Sequence, residues 1–380
     1  MIKFIFIILL TNILYSDIIT DISGNIEYSY VVAEDDSSNH IDIVINVDTA
    51  YDKHSFIMSP GVYVYDNSSY NSVINNDVNK IRAVYLNELY YSYRPINNLT
   101  LSVGLFPFRK GTFYEYSFSG SRQGIGTYSI TDTTLQGYML TYTINKHIII
   151  IGSVAFEKFF TSYKDFDETS NILTFKSYTN SGMDHIAYRY RNDKIYLETR
   201  YMNIYQYVND NKIIETDNFV LASSYNNEDV TGTILYSILS YSNSNGDNSS
   251  LSPLNIPFQT DTAYFDKFTS NGYYYLFGIK QEIDNIIFNR DLLLGFEYSY
   301  RSPGYHSLLA GMPVSTNSYG DIGYMYSPYI GVRLFKDSVI KFKYINFDST
   351  ATLKYGTSTI TNNTEQHDST KYILQFQYGF

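Results

Sequence analysis

Apolar and polar side chains alternate along most of this chain with a period of two, the spacing that puts one set on each face of a β-strand. The pattern is clearest in hairpin-sized units. Tyr138, Leu140, Tyr142 and Ile144 lead to Asn145-Lys146, after which Ile148, Ile150, Val154 and Phe156 continue. Ile186, Tyr188 and Tyr190 meet Asn192-Asp193, followed by Ile195, Leu197 and Tyr201. Phe219, Leu221 and Tyr225 stop at Asn226 to Asp229, and Val230, Ile234, Tyr236 and Ile238 resume. Tyr273, Tyr275, Phe277 and Ile279 are joined through Asp284-Asn285 to Leu292, Leu294, Phe296, Tyr298 and Tyr300. Ile330, Val332 and Leu334 turn at Lys336-Asp337 into Ile340, Phe342 and Tyr344. Short Asn, Asp or Lys connections between alternating runs are hairpin signals.

Extending this reading predicts sixteen strands, near 21–31, 39–50, 53–66, 80–94, 97–109, 133–145, 147–159, 183–192, 194–207, 216–226, 229–241, 272–283, 286–301, 321–335, 338–349 and 370–380. The connections themselves alternate. Those after even-numbered strands are a few residues long, whereas those after odd-numbered strands are mostly long: 66–80, 109–132, 159–183, 241–272, 301–321 and 349–370. A sandwich has no reason to gather its long loops at one end; a transmembrane antiparallel barrel with short periplasmic turns and long extracellular loops does. The expected fold class is therefore all-β, a sixteen-stranded barrel.

The N-terminal stretch "MIKFIFIILLTNILYSD" has one Lys, an apolar run too short to span a bilayer as a helix, and a small residue before the first acid. It reads as a secretory signal peptide over residues 1–16, leaving 17–380 as the barrel. No later apolar run is long enough for a transmembrane helix, so an exported chain of this kind enters lipid as a barrel. Composition agrees: 42 Tyr, 24 Phe and no Trp favour pleated structure, and Tyr suits the headgroup zone. With no Cys there is neither a disulfide framework nor thiolate chemistry, and a formal charge of −11 argues against nucleic-acid binding.

The chain ends in "KYILQFQYGF", with Tyr372, Leu374, Phe376, Tyr378 and Phe380 on one face. Here it resembles the bacterial outer-membrane porins, whose last strand closes the barrel against the first and finishes in alternating aromatics with a terminal Phe. The resemblance implies recognition of this strand by the barrel-assembly machinery, residence among outer-membrane lipid and lipopolysaccharide, and a homotrimer. In porins the third long loop folds into the lumen. The corresponding connection, about 109–132, carries Arg109, Lys110, Glu115 and Arg122 among aromatics and glycines. Opposed charges at such a waist would filter ions and small solutes.

A barrel facing lipid sends its charges inward. Opposite the apolar sets stand Arg189, Arg191, Glu198, Arg200, Lys280, Glu282, Glu297, Arg333, Lys341 and Lys343, with Glu27, Asp42 and Glu88 earlier in the chain. The six His show no metal-ligand spacing and read as surface and turn residues. "GSRQGIG" at 120–126 lacks the βαβ context of a phosphate loop, and no motif of a nucleophilic serine surrounds Ser307. Neither enzyme, metal nor cofactor is expected. Two functions fit: a porin passing small hydrophilic solutes and ions, and an adhesin or receptor acting through its long loops.

Overall fold

A backbone in hydrocarbon must satisfy its own N–H and C=O groups, and a β-structure does so only by closing on itself. The computed structural model describes residues 18–33, 36–67, 80–107, 134–155, 162–167, 172–177, 182–208, 211–246, 268–302, 322–335, 337–351 and 367–379. In it sixteen strands form one closed antiparallel barrel. The strands are β1 (Ile19–Ala33), β2 (Asp36–Tyr51), β3 (His54–Asn67), β4 (Lys80–Ile96), β5 (Leu99–Pro107), β6 (Thr134–Ile144) and β7 (His147–Ala155). After β8 (Ser162–Asp167) and β9 (Ile172–Ser177) come β10 (Gly182–Arg191), β11 (Ile195–Val208), β12 (Asn211–Asn227) and β13 (Thr233–Gly246). β14 (Phe268–Ile287), β15 (Arg290–Arg301), β16 (Ile322–Phe335), β17 (Ser338–Ala351) and β18 (His367–Gly379) complete the chain.

Each barrel strand pairs with its sequence neighbours, and β18 closes on β1 over a register running from Asn25↔Gly379 to Ala33↔Lys371. β8 and β9 pair only with each other, so the connection between β7 and β10 carries a hairpin of its own outside the ring. All sixteen expected strands are present. The connections at 52–53, 97–98, 145–146 and 288–289 are two residues long, while those at 68–79, 108–133, 247–267 and 352–366 emerge at the opposite end.

Three local expectations are corrected. The turn between β14 and β15 lies at Phe288-Asn289, both at positive φ, and not at Asp284-Asn285. Asn285 instead marks a register shift, with φ 57°. Residues 228–231 form a one-turn helix, α1 (Glu228–Thr231), so Val230 is in a turn and not a strand. The third correction concerns side-chain direction. The two-residue turn at 145–146 pairs Ile144 with His147, which sends Ile149 and Ile151 outward and Ile148, Ile150 and Val154 inward. Likewise Tyr225 pairs with Leu235, so Leu235, Leu239 and Tyr241 face out while Ile234, Tyr236 and Ile238 face in.

The outer surface is an apolar belt. Tyr28, Tyr30, Ile41, Ile45, Val103, Ile186, Leu221, Phe277, Ile330, Phe342 and Leu374 are all exposed. Toward the loop end, tyrosines of neighbouring strands pack at a tilt, with ring centroids 4.5 Å apart for Tyr300–Tyr324 and 5.5 Å for Tyr273–Tyr300. Beyond them the outer face turns polar at Asp184, Asn203 and Asp217, where Tyr201 donates to Asp217 at 2.6 Å. An aromatic girdle between an apolar band and a polar rim is the profile of a bilayer-embedded barrel. Tyr372, Leu374 and Tyr378 of β18 are exposed in this belt with Phe376 half-buried between them, as the terminal alternation predicts; Phe380 lies outside the described residues.

If Leu374 faces hydrocarbon, Leu374→Arg lowers the stability of the barrel refolded into lipid vesicles by about 2–4 kcal/mol. Urea titration checks it, and an Arg variant as stable as the parent would place this face in water.

Candidate functional site

A sixteen-stranded ring is wide enough to enclose more than its own side chains, so the inner wall is where chemistry can occur. The pairing registers decide which residues reach it. On β10 and β11 the inward set is Met183, His185, Ala187, Arg189 and Arg191 facing Tyr196, Glu198, Arg200, Met202 and Ile204. Every wall residue expected from the alternation at 189–200 is therefore on the inner face. Three of them form one network. Arg189 donates to Glu198 Oε2 through Nε at 2.8 Å and Nη2 at 2.7 Å, and Arg200 donates to Oε1 at 2.9 and 2.8 Å. The Tyr196 hydroxyl adds a third donor to the same carboxylate at 2.5 Å. Glu198 is 1% exposed, and charge-assisted bonds of this kind offset the cost of burying it.

A second network ties α1, β14, β15 and β16 together near the turns. Arg333 grips Glu282 with Nε at 2.6 Å and Nη2 at 2.9 Å, the bidentate geometry guanidinium favours. Lys280 bonds Glu228 of α1 at 2.8 Å and lies 3.7 Å from Glu282. A third runs across the closing seam: Lys341 donates to Gln377 at 3.0 Å, Gln377 to Glu27 at 3.1 Å, and Ser29 to Glu27 at 3.3 Å. Lys343 is on the same face of β17, 1% exposed. Glu297 of β15 is 2% exposed and accepts a 2.6 Å bond from Tyr236. So the wall is not a continuous strip of basic charge. Arg189 and Arg200 share the Glu198 carboxylate and Arg333 holds Glu282, so these arginines are neutralised locally.

Glycines let the larger side chains lie flat on this wall. Tyr236 sits across from Gly278, Tyr329 from Gly295 and His185 from Gly152. A Cβ at Gly278 or Gly295 would fall within 2.0 or 1.9 Å of the tyrosine ring. The ring thus occupies the space a side chain would take, and the hydroxyl of Tyr236 reaches past it to Glu297. His185, expected at the surface, is 4% exposed and interior.

The inner wall also has a feature the alternation did not indicate. Phe106, Val154, Met183, Met202, Ile204, Val220, Ala222, Ile234, Tyr236, Ile238, Tyr274 and Leu276 form one buried apolar cluster. All project inward from β5, β7 and β10–β14. A smaller cluster of Val31, Met325, Ile345 and Ile373 sits at the closing seam. The two reversed readings, of β7 and β13, account for much of the surprise, since they moved Val154, Ile234, Tyr236 and Ile238 from lipid to lumen. Arg109, Lys110, Glu115 and Arg122 of the third connection lie outside the described residues. Among the described residues no group of three or more His, Asp or Glu could hold a metal ion.

No family model matches the chain, and no curated protein matches it in sequence. Solved structures do. OmpT of Vibrio cholerae, expressed in the outer membrane, superposes with a TM-score of 0.54 at 11% identity, covering 96% of this chain and 99% of that one. The in-vitro folded OmpT of the same organism, in its trimer form, gives 0.50 at 10% identity, over 96% and 100%. A mutant of the Rh. blastica porin follows at 0.46 and 12% identity, over 95% and 100%, too distant to bear on the question. At such identities the likeness to OmpT speaks for the fold alone. Together with the closed ring of sixteen strands and its apolar belt, it gives the chain the fold of an outer-membrane β-barrel.

Proposed function

We propose that this barrel is a channel of the bacterial outer membrane through which small hydrophilic solutes and ions diffuse. The observation that carries the reading is the inner wall: a ring of sixteen strands with Glu27, Glu88, Glu198, Glu282, Glu297, Arg189, Arg200, Lys280, Arg333, Lys341 and Lys343 on its interior face. Among the described residues, charges of both signs lie inside and none in the apolar belt, which fits a polar path through lipid. Because the described wall is largely buried and its arginines are held by carboxylates, the channel is a restrictive one with weak ion preference.

In this reading the leader over residues 1–16 directs export. The outward alternation of β18 serves assembly, and the belt meets lipid and lipopolysaccharide. The length of the connection between β5 and β6 supports a constriction there, to which Arg109, Lys110, Glu115 and Arg122 contribute both charge signs. Assembly as a homotrimer is supported by the trimer form in which the similar OmpT is known. No catalytic role is assigned to the barrel.

The buried inner cluster favours one second reading. A barrel whose interior is closed by apolar packing would act through its loops, as an adhesin or receptor. Planar-bilayer recording separates the two. Discrete steps in KCl are expected for a channel, and a folded, inserted barrel that never conducts would leave the loops as the functional part.

Selectivity adds a second measurement. Glu198→Gln leaves Arg189 and Arg200 without their carboxylate, so the reversal potential in a salt gradient shifts toward anion preference. The same variant loses about 3–5 kcal/mol of stability, as expected when one partner of a buried ion pair is removed. An unchanged reversal potential in the folded variant would put this network off the ion path.

A further inference from the structure

The outer belt is not evenly filled. Across β10 to β14 two neighbouring ladder rows, both facing outward, frame a groove of about 650 Å³. Nearer the loops the row is Ile186, Tyr201, Phe219, Tyr241 and Tyr273; nearer the turns it is Tyr188, Thr199, Leu221, Leu239 and Tyr275. In the second row the shorter Thr199, Leu221 and Leu239 stand between two tyrosines, each braced from outside the groove. The Tyr188 hydroxyl shares a 2.7 Å hydrogen bond with His147 Nδ1, and the Tyr275 ring packs on Tyr300 and Tyr298 at 5.5 and 6.1 Å between centroids. The side chains of both rows are exposed or half-buried. The depression is therefore preformed and open to the membrane.

One rung toward the loops the outer face changes character. Asp184, Asn203, Asp217, Asn243 and Asn271 follow one another across the same five strands, with Glu215 a rung beyond Asp217. None of these is a cation. Tyr201 and Asn203 both donate to Oδ1 of Asp217, at 2.6 and 3.0 Å, so Oδ2 keeps its capacity to accept. A phosphate brought to this rim meets like charge. An ammonium group would suit the carboxylates and leave the amides unused. Carboxylates beside amides, which both donate and accept, match the hydroxyls of a sugar, and the aromatic row beneath offers negative ring faces to the C–H groups of a pyranose. In hydrocarbon an acyl chain gains nothing by leaving water; it gains the close contact that an unfilled groove forfeits.

We propose that this groove holds an acyl chain of a neutral glycolipid, its sugar headgroup hydrogen-bonded to Asp184, Asp217 and the asparagines of the same row. The proposal rests on the belt facing lipid, which Leu374→Arg tests separately, and does not depend on conduction.

Monogalactosyl diacylglycerol is the probe, with phosphatidylethanolamine and phosphatidylglycerol of the same acyl chains as comparators. The full barrel is refolded into vesicles holding the three in equal amounts, extracted into detergent and weighed by native mass spectrometry. The wild type is expected to retain one galactolipid, several-fold more often than either phospholipid. Thr199→Trp, which fills the groove, should lose the adduct. Asp184→Ala should weaken the preference for the sugar while the chain still binds. Heat-modifiable gel mobility checks that both variants fold. Equal retention of the three lipids overturns the proposal, as does preference for either phospholipid. So does a wild type that carries no lipid, whether alone or as two chains docked together, or an adduct that survives unchanged in folded Thr199→Trp.

Discussion

Everything in this molecule depends on the pairing of its first strand with its last. In hydrocarbon an unpaired backbone N–H or C=O costs several kcal/mol, and an open edge would expose a row of them. The register from Asn25↔Gly379 to Ala33↔Lys371 removes that edge. Once the ring is closed, each strand has a lipid face and an interior face, and every residue is assigned to one by parity alone. Side-chain chemistry then has to fit a direction already set by the backbone.

That assignment explains the division of labour on the wall. Charges cannot face lipid, so they accumulate inside, where the low dielectric makes an isolated one expensive. The chain meets this by matching them across neighbouring strands, Glu198 with Arg189 and Arg200, and Glu282 with Arg333. Large side chains inside meet a different limit, the space between strands. Gly278, Gly295 and Gly152 provide it by leaving room for the rings of Tyr236, Tyr329 and His185. Removing a Cβ from one strand lets an aromatic ring on the next lie against the wall, which seals it without narrowing the interior by a full ring width.

Legibility in the sequence followed the contrast between the two faces. β10, β15 and β18 alternate cleanly, "DHIAYRYR", "LLLGFEYSYR" and "KYILQFQYG", and their outward sets were readable residue by residue. The number of strands and the separation of short turns from long loops were readable too, because turn residues punctuate the chain at both ends. β7 and β13 were not. "HIIIIGSVA" and "TILYSILSYS" carry apolar residues at both parities, so hydrophobicity cannot choose a face. Turn geometry chose it: a two-residue link before β7, and the helical turn Glu228–Thr231 before β13. A one-residue difference in either connection would reverse every side chain of the strand. The hairpin of β8 and β9 was hidden for another reason, since it lies inside a long connection with no neighbouring strand to mark it. The matched ion pairs were half legible: the charged residues could be placed on the inner face, but which carboxylate each arginine grips depends on the register between strands.

The apolar interior changes how charge on this protein should be read. A formal charge of −11 invites the expectation of a cation path, yet arginines held by carboxylates, as Arg189, Arg200 and Arg333 are, exert little net field on the interior. What remains is local: Lys341 and Lys343 stand on one face of β17 next to a strip of hydrocarbon. In a wide aqueous pore such a patch would be screened within about a Debye length and matter little. In an interior where Met183, Ile238, Leu276 and Gln375 are all out of contact with water, screening is weak and the patch acts at full strength. On the channel reading, selectivity would therefore depend more on where water is absent than on the sum of the charges.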